Sequence, residues 1–152
     1  MIVRIQPQAF DIGAEIAALT RGRSDIGAIV TFTGVCRDEG GSLAALEIEQ
    51  YPGMAEEEIA RVVEKAQERW PLQGVAVVHR HGRIAAGEEI VLVATVSAHR
   101  RAAFEAAEFL MDYLKTNAPF WKKEVRLSDV AGRWVEAKAS DTADAARWRK
   151  NG

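Results

Sequence analysis

The chain has 152 residues, 48% hydrophobic and 28% charged, the balance of an ordinary soluble globular protein. A chain of this length folds most economically as one domain and buries about 70% of its unfolded surface. Its net charge of −2 offers no global field to nucleic acid or to an anionic membrane, so any basic site must be local.

Cys36 is the single cysteine, which excludes an internal disulfide and a multi-cysteine metal centre. The N-terminal "MIVRIQPQAF" carries Arg4 and Pro7 and lacks the continuous apolar stretch of a signal peptide. No run approaches the length of a membrane span. A cytoplasmic protein is expected.

"IVRIQ" alternates and predicts a strand over residues 2–6. Asp11 can cap a helix whose Ile12, Ile16 and Leu19 share one face. "GAIVTFTG", residues 27–34, is β-branched and aromatic, a buried strand. The loop "CRDEGGS" follows, then a strand over residues 43–51 that stops at Pro52-Gly53. Residues 54–70 read as an amphipathic helix, acidic in its first turn, with Ile59, Val62, Val63 and Ala66 inward. "GVAVVHRHG" and "EEIVLVATVSA" predict two strands joined by a connection from Gly82 to Gly87. Ser97 is placed to cap the next helix, with Phe104, Ala107, Leu110 and Leu114 inward and Asn117 and Pro119 at its end. "FWKKEVRL" and "RWVEAK" suggest a terminal hairpin turning around Asp129 to Gly132. Strand pairs between helices argue for an α+β protein with a mainly antiparallel sheet. The expected organisation is one domain over residues 1–140 and a loosely held tail over 141–152.

Cys36 beside Arg37 has the composition of an activated nucleophile, but no histidine partner is identifiable, and a small residue at a strand end explains it as well. Arg37 stands where a buried strand opens into a glycine loop, a place from which a side chain can reach a ligand. His79 and His81 share a strand face, but a metal needs a third ligand, and a half-exposed strand face explains the pair better. No metal is expected. In "SAHRR", residues 97–101, a strand hands over to a helix whose free N–H groups, with His99 and Arg100, suit an anion. An ordinary helix start looks similar.

"LKTNAPFWKKE", residues 114–124, surrounds Pro119, Phe120 and Trp121 with lysines. Lys115 complements the carbonyl end of a helix. Lys122 and Lys123 alternate on a strand, so one is expected to face inward, partly desolvated beside the aromatics. Desolvation and neighbouring cations favour a neutral amine, able to accept a proton, attack a carbon or anchor an anion. Arg37, His99, Arg100, Lys115 and Lys122 thus form a candidate anion-handling pocket.

"FTGVCRDEG", "LEIEQYPGMAEEEI", the long run from "HRHGRIAAG" to "NAPFWKKE", and "RWVEAK" together resemble the large, catalytic subunit of molybdopterin synthase, the MoaE family. The likeness runs in order from about residue 29 to 138. It implies an α/β hammerhead-like fold with an additional antiparallel subdomain. It also implies an activity: converting cyclic pyranopterin monophosphate to molybdopterin by inserting the two dithiolene sulfurs. The sulfur donor in that family is a small ubiquitin-like subunit ending in a Gly-Gly thiocarboxylate, and the assembly is a homodimer carrying one small subunit at each end. The resemblance makes Lys115 and Lys122 the catalytic candidates and gives phosphate and pterin binding to Arg37, His99 and Arg100. Lys138 occupies the place of an arginine that serves the neighbouring protomer's site, and it lacks that residue's bidentate fork. No cofactor is implied. Two other readings are a stand-alone sugar-phosphate or phosphoester catalyst using His99, which needs no protein partner, and a non-catalytic module that binds a ubiquitin-like tail.

Overall fold

The computed structural model describes residues 1–130. Two sheets share the chain. The larger has the order β1-β4-β6-β2 and contains β1 (Ile2–Gln6), β2 (Ala28–Val35), β4 (Leu72–Arg80) and β6 (Glu89–Ser97). β1 runs parallel to β4, whereas β4–β6 and β2–β6 are antiparallel. The smaller sheet, order β5-β3-β7, is antiparallel throughout and contains β3 (Leu43–Gln50), β5 (Gly82–Ala85) and β7 (Phe120–Arg126). The chain is α+β, hammerhead-like with an added antiparallel subdomain, as its sequence leads one to expect.

β4 and β6 are buried at consecutive residues, so both faces of the sheet centre are covered. Helices α2 (Met54–Arg69) and α3 (Arg100–Thr116) pack on this sheet and on each other, and α1 (Ile12–Thr20) packs on β4 and β6. Asp11 caps α1 as expected, its carboxylate accepting the Ala14 N–H at 3.0 Å. The inward stripe of α2 is the expected one, Ile59, Val62, Val63 and Ala66, joined by Ala55.

α3 departs from expectation at its start. Its buried stripe is Ala102, Ala103, Ala106, Ala107 and Leu110, and small residues let the helix lie close to β6 and β2. Phe104, expected inward, is 61% exposed because it lies one helical step from that stripe. Ser97 does not cap the helix: its hydroxyl is buried and donates to the Pro71 carbonyl at 3.0 Å. His99 is the N-cap and makes no side-chain capping bond.

The connection expected between residues 82 and 87 contains a strand, β5, which pairs with β3 and buries Ile84. Four residues between glycines are too few for a periodicity signal. Gly82 and Gly87 hold positive φ of 82° and 90°, a conformation open to glycine without strain, and so fix the corners of this excursion. β7 pairs with β3 over a long sequence separation, and the chain then turns through a short helix, α4 (Leu127–Val130). The strand expected over 133–138, Lys138, and the boundary near residue 140 lie outside the described residues. Among the described residues no helix is long and apolar enough to cross a membrane.

Leu110 is 2% exposed in the core between α3 and the sheet. Leu110→Ala should lower the unfolding free energy by about 2–5 kcal/mol, read from urea denaturation.

Candidate functional site

Three segments meet at one end of the larger sheet: the end of β2 with the residues after it, the turn before β6, and the last turn of α3 with the start of β7. They surround an open cavity of about 1530 Å³. Phe32, Val35, Ile90, Val91, Met111 and Leu114 give it apolar walls. Arg37, Lys115 and Lys122 are the cations that line it among the described residues.

Local structure explains each placement. Cys36 follows β2, and its backbone is clamped on both sides: its N–H donates to Glu88 O and its carbonyl accepts the Gly87 N–H, both at 2.7 Å. Arg37 therefore leaves from a fixed backbone, while its guanidinium is exposed and pairs with Glu39. Lys115 lies on the last turn of α3, one residue after Leu114, and is exposed. Asn117 closes the helix by donating to the Tyr113 carbonyl at 2.8 Å, and Pro119 then precedes β7. Register with β3 sets Phe120 opposite Gln50 and Lys122 opposite Ile48. Lys122 is also exposed, so the partial desolvation expected of an inward lysine is not found in the single chain.

His99 and Arg100 do not join the cavity. They sit exposed at the N-terminus of α3, about 22 Å along the axis from Lys115 at 1.5 Å per residue. The residues expected to act together thus divide between the two ends of one helix. Cys36 is 1% exposed, and burial pushes its thiol up, reinforced by Glu88, Asp38 and Glu124. That environment opposes a thiolate nucleophile.

His79 and Arg80, at the end of β4, carry more of the site than their sequence context suggests. His79 is buried rather than half-exposed, lines the cavity, and stacks on Phe120 with ring centroids 3.9 Å apart and planes 12° apart. Its Nδ1 lies 2.7 Å from the Arg80 carbonyl oxygen. Burial lowers its pKa from 6.5 to about 4, and the nearby Lys122 and His81 charges add to the lowering. Arg80 is buried as well. Its guanidinium donates to Pro7 O at 3.1 and 3.2 Å, to Glu89 O at 3.1 Å and to the Glu88 carboxylate at 3.0 Å. Glu88 also accepts the Ala85 N–H at 3.1 Å, and the Arg80 contact holds its carboxyl below the usual range. The turn that clamps Cys36 is therefore fixed from beneath by an ion pair. Among the described residues no three His, Cys, Asp or Glu side chains gather as a metal site.

The family of MoaE proteins matches residues 5–117. The chain belongs to the MoaE family. A protein of Mesorhizobium japonicum named molybdopterin synthase catalytic subunit is 65% identical, covering 98% of this chain and 94% of that one. The solved structure of molybdopterin cofactor biosynthesis protein E from Burkholderia multivorans is 47% identical with a TM-score of 0.75, covering 97% of this chain and 95% of that one. A crystal structure of molybdopterin synthase from Staphylococcus aureus is 32% identical with a TM-score of 0.73, covering 80% and 89%.

In this MoaE chain, sequence reasoning missed the parts played by His79, Arg80, Glu88 and Phe120. A histidine and an arginine ending an otherwise apolar strand were the available signal, since buried polar groups need partners. Of the partners, Pro7 and Phe120 are distant in sequence, and Glu88 lies across the connection from Gly82 to Gly87.

The buried imidazole has a consequence for stability. Between pH 6.5 and about 4 the unfolded chain binds a proton at His79 that the folded chain does not. Stability contributed by the neutral ring is present above pH 6.5 and is lost as pH falls through this window. Denaturation at a series of pH values should show a decline of up to about 1.4 kcal/mol per pH unit that His79→Phe lacks.

Proposed function

We propose that this chain is the catalytic subunit of a molybdopterin synthase, transferring sulfur from the C-terminal thiocarboxylate of a small ubiquitin-like subunit to cyclic pyranopterin monophosphate. The observation that carries this reading is the convergence of Arg37, Lys115 and Lys122 on one cavity in a chain whose net charge is −2. Donor and substrate are both anions, so bringing them together requires cations, and the 65% identical relative bears the matching name. The sulfur comes with the donor, so a buried, disfavoured thiol at Cys36 is no obstacle.

Arg37 orients the substrate phosphate from the clamped strand end, and Lys115 and Lys122 steer the thiocarboxylate, move protons and stabilise charge as carbon–oxygen bonds break. Each charge-assisted contact of this kind contributes about 1.5–3 kcal/mol, roughly tenfold to a hundredfold in binding. His99 and Arg100 reach the same substrate only if a second protomer brings the other end of its α3 to the cavity mouth. The proposed assembly is therefore a homodimer with composite sites, Lys138 serving across the same boundary, and one small subunit at each end. The apolar walls receive the extended tail of the small subunit. The proposed location is the cytoplasm.

Mixing the protein with a thiocarboxylated small subunit and cyclic pyranopterin monophosphate should yield the dithiolene product by mass spectrometry. Tail binding without product would favour the binding module instead. Lys115→Ala should reduce product formation about 100-fold or more while leaving the circular dichroism spectrum and dimer mass unchanged. Composite sites make a second expectation. Randomly mixed dimers of Lys115→Ala and His99→Ala should regain about a quarter of native turnover, because each mixed dimer keeps one intact site. No recovery on mixing would remove the shared site.

A further inference from the structure

The chemistry proposed above makes no use of His79, yet its imidazole is 5% exposed and lines the same cavity as Lys115 and Lys122. A carbonyl oxygen only accepts hydrogen bonds, so the 2.7 Å contact with Arg80 O puts the ring proton on Nδ1. Nε2 is left with a bare lone pair. Among the described residues no group bonds to it, and the residue lines the cavity.

The surroundings say what that lone pair faces. Phe120, stacked flat on the imidazole, is two residues before Lys122 on β7, so both side chains leave the same face of the strand. Burial keeps the imidazole neutral, and the nearby Lys122 charge adds to this. Lys122 has donors and no acceptor of its own. The Asp38 carboxylate also lines the cavity, and one of its oxygens accepts the Leu43 N–H at 2.9 Å.

We propose that His79 is a positioning residue of this site: held in the Nδ1–H form by the Arg80 carbonyl, it presents Nε2 as the acceptor that aims the Lys122 ammonium into the cavity. Its catalytic consequence rests on the sulfur-transfer reading; its tautomer and the proposed hold on Lys122 do not. The stack on Phe120 fixes the ring plane, the backbone contact fixes its rotation, and the free nitrogen restrains a lysine whose own stem is flexible. A purely structural ring would need the stack alone, which phenylalanine could supply.

Two kinds of measurement on the full-length protein test this. Long-range proton–nitrogen NMR at pH 7 should show His79 as the neutral Nδ1–H tautomer, and Lys122→Met should move its Nε2 resonance while Lys115→Met leaves it in place. An Nε2–H tautomer, an imidazolium, or an Nε2 signal indifferent to Lys122→Met would overturn the proposal. In turnover, His79→Phe should lower kcat about tenfold, the loss of one charge-assisted contact, with KM for the pterin within about twofold. His79→Gln, whose amide oxygen replaces Nε2, should recover most of that loss. Undiminished kcat in His79→Phe, or equal losses in both variants, would reduce His79 to packing. If the unsubstituted protein forms no dithiolene at all, the synthase reading falls, and the Nε2 response to Lys122→Met still decides whether His79 holds that lysine.

Discussion

Two backbone hydrogen bonds of 2.7 Å, between Cys36 and the Gly87–Glu88 turn, hold the end of β2 against the start of β6. The placement of the cavity depends on them. Cys36 is where the chain leaves the larger sheet for β3, and the turn is where it returns to that sheet from β5. Without the clamp, Arg37 would begin a free glycine loop, "RDEGG", and its direction would be undefined. Arg80 supports the clamp by binding Glu88 on one side and the Pro7 carbonyl on the other. A buried guanidinium of this kind is tolerated because its donors are taken up by an ion pair and three carbonyl contacts.

The opposite wall is joined to the same strand end. Consecutive strand residues point to opposite faces, so His79 and Arg80 serve different neighbours from adjacent positions. Arg80 secures the N-terminal strand and the turn; His79 docks the start of β7 through Phe120. Two polar residues ending one apolar strand thus fix both sides of the cavity. Their burial makes the site rigid at its base while its cations stay at the open rim.

Exposure of those cations is itself a physical choice. An ammonium in water carries no desolvation penalty, whereas burying one is costly unless it is paired. Elsewhere on the surface arginines meet nearby acids, as in Arg23–Asp25, Arg61–Glu58 and Arg101–Glu105. Among the described residues Lys115 and Lys122 form no ion pair, so their charge is available to an arriving anion. The N-terminus of α3, with His99 and Arg100 and no side-chain cap, offers donors at the far end of the same 17-residue helix.

Periodicity and punctuation determined the elements locally. The alternation of β1, the stripe of α2, the Asp11 cap and the Asn117-Pro119 stop were all legible because each depends on residues within a turn or two of one another. The α+β class followed from their order, and the cationic residue types and their motif context were visible for the same reason. Long-range pairing decided the rest. β5 exists because β3 lies beside it, β7 found β3 across some seventy intervening residues, and Phe104 turned outward because alanines gave the closer approach to the sheet. Which cations share a cavity, and that His79 is buried beneath them, are properties of distances between remote segments. Short-range spacing carries no information about such distances, so tertiary packing alone set them.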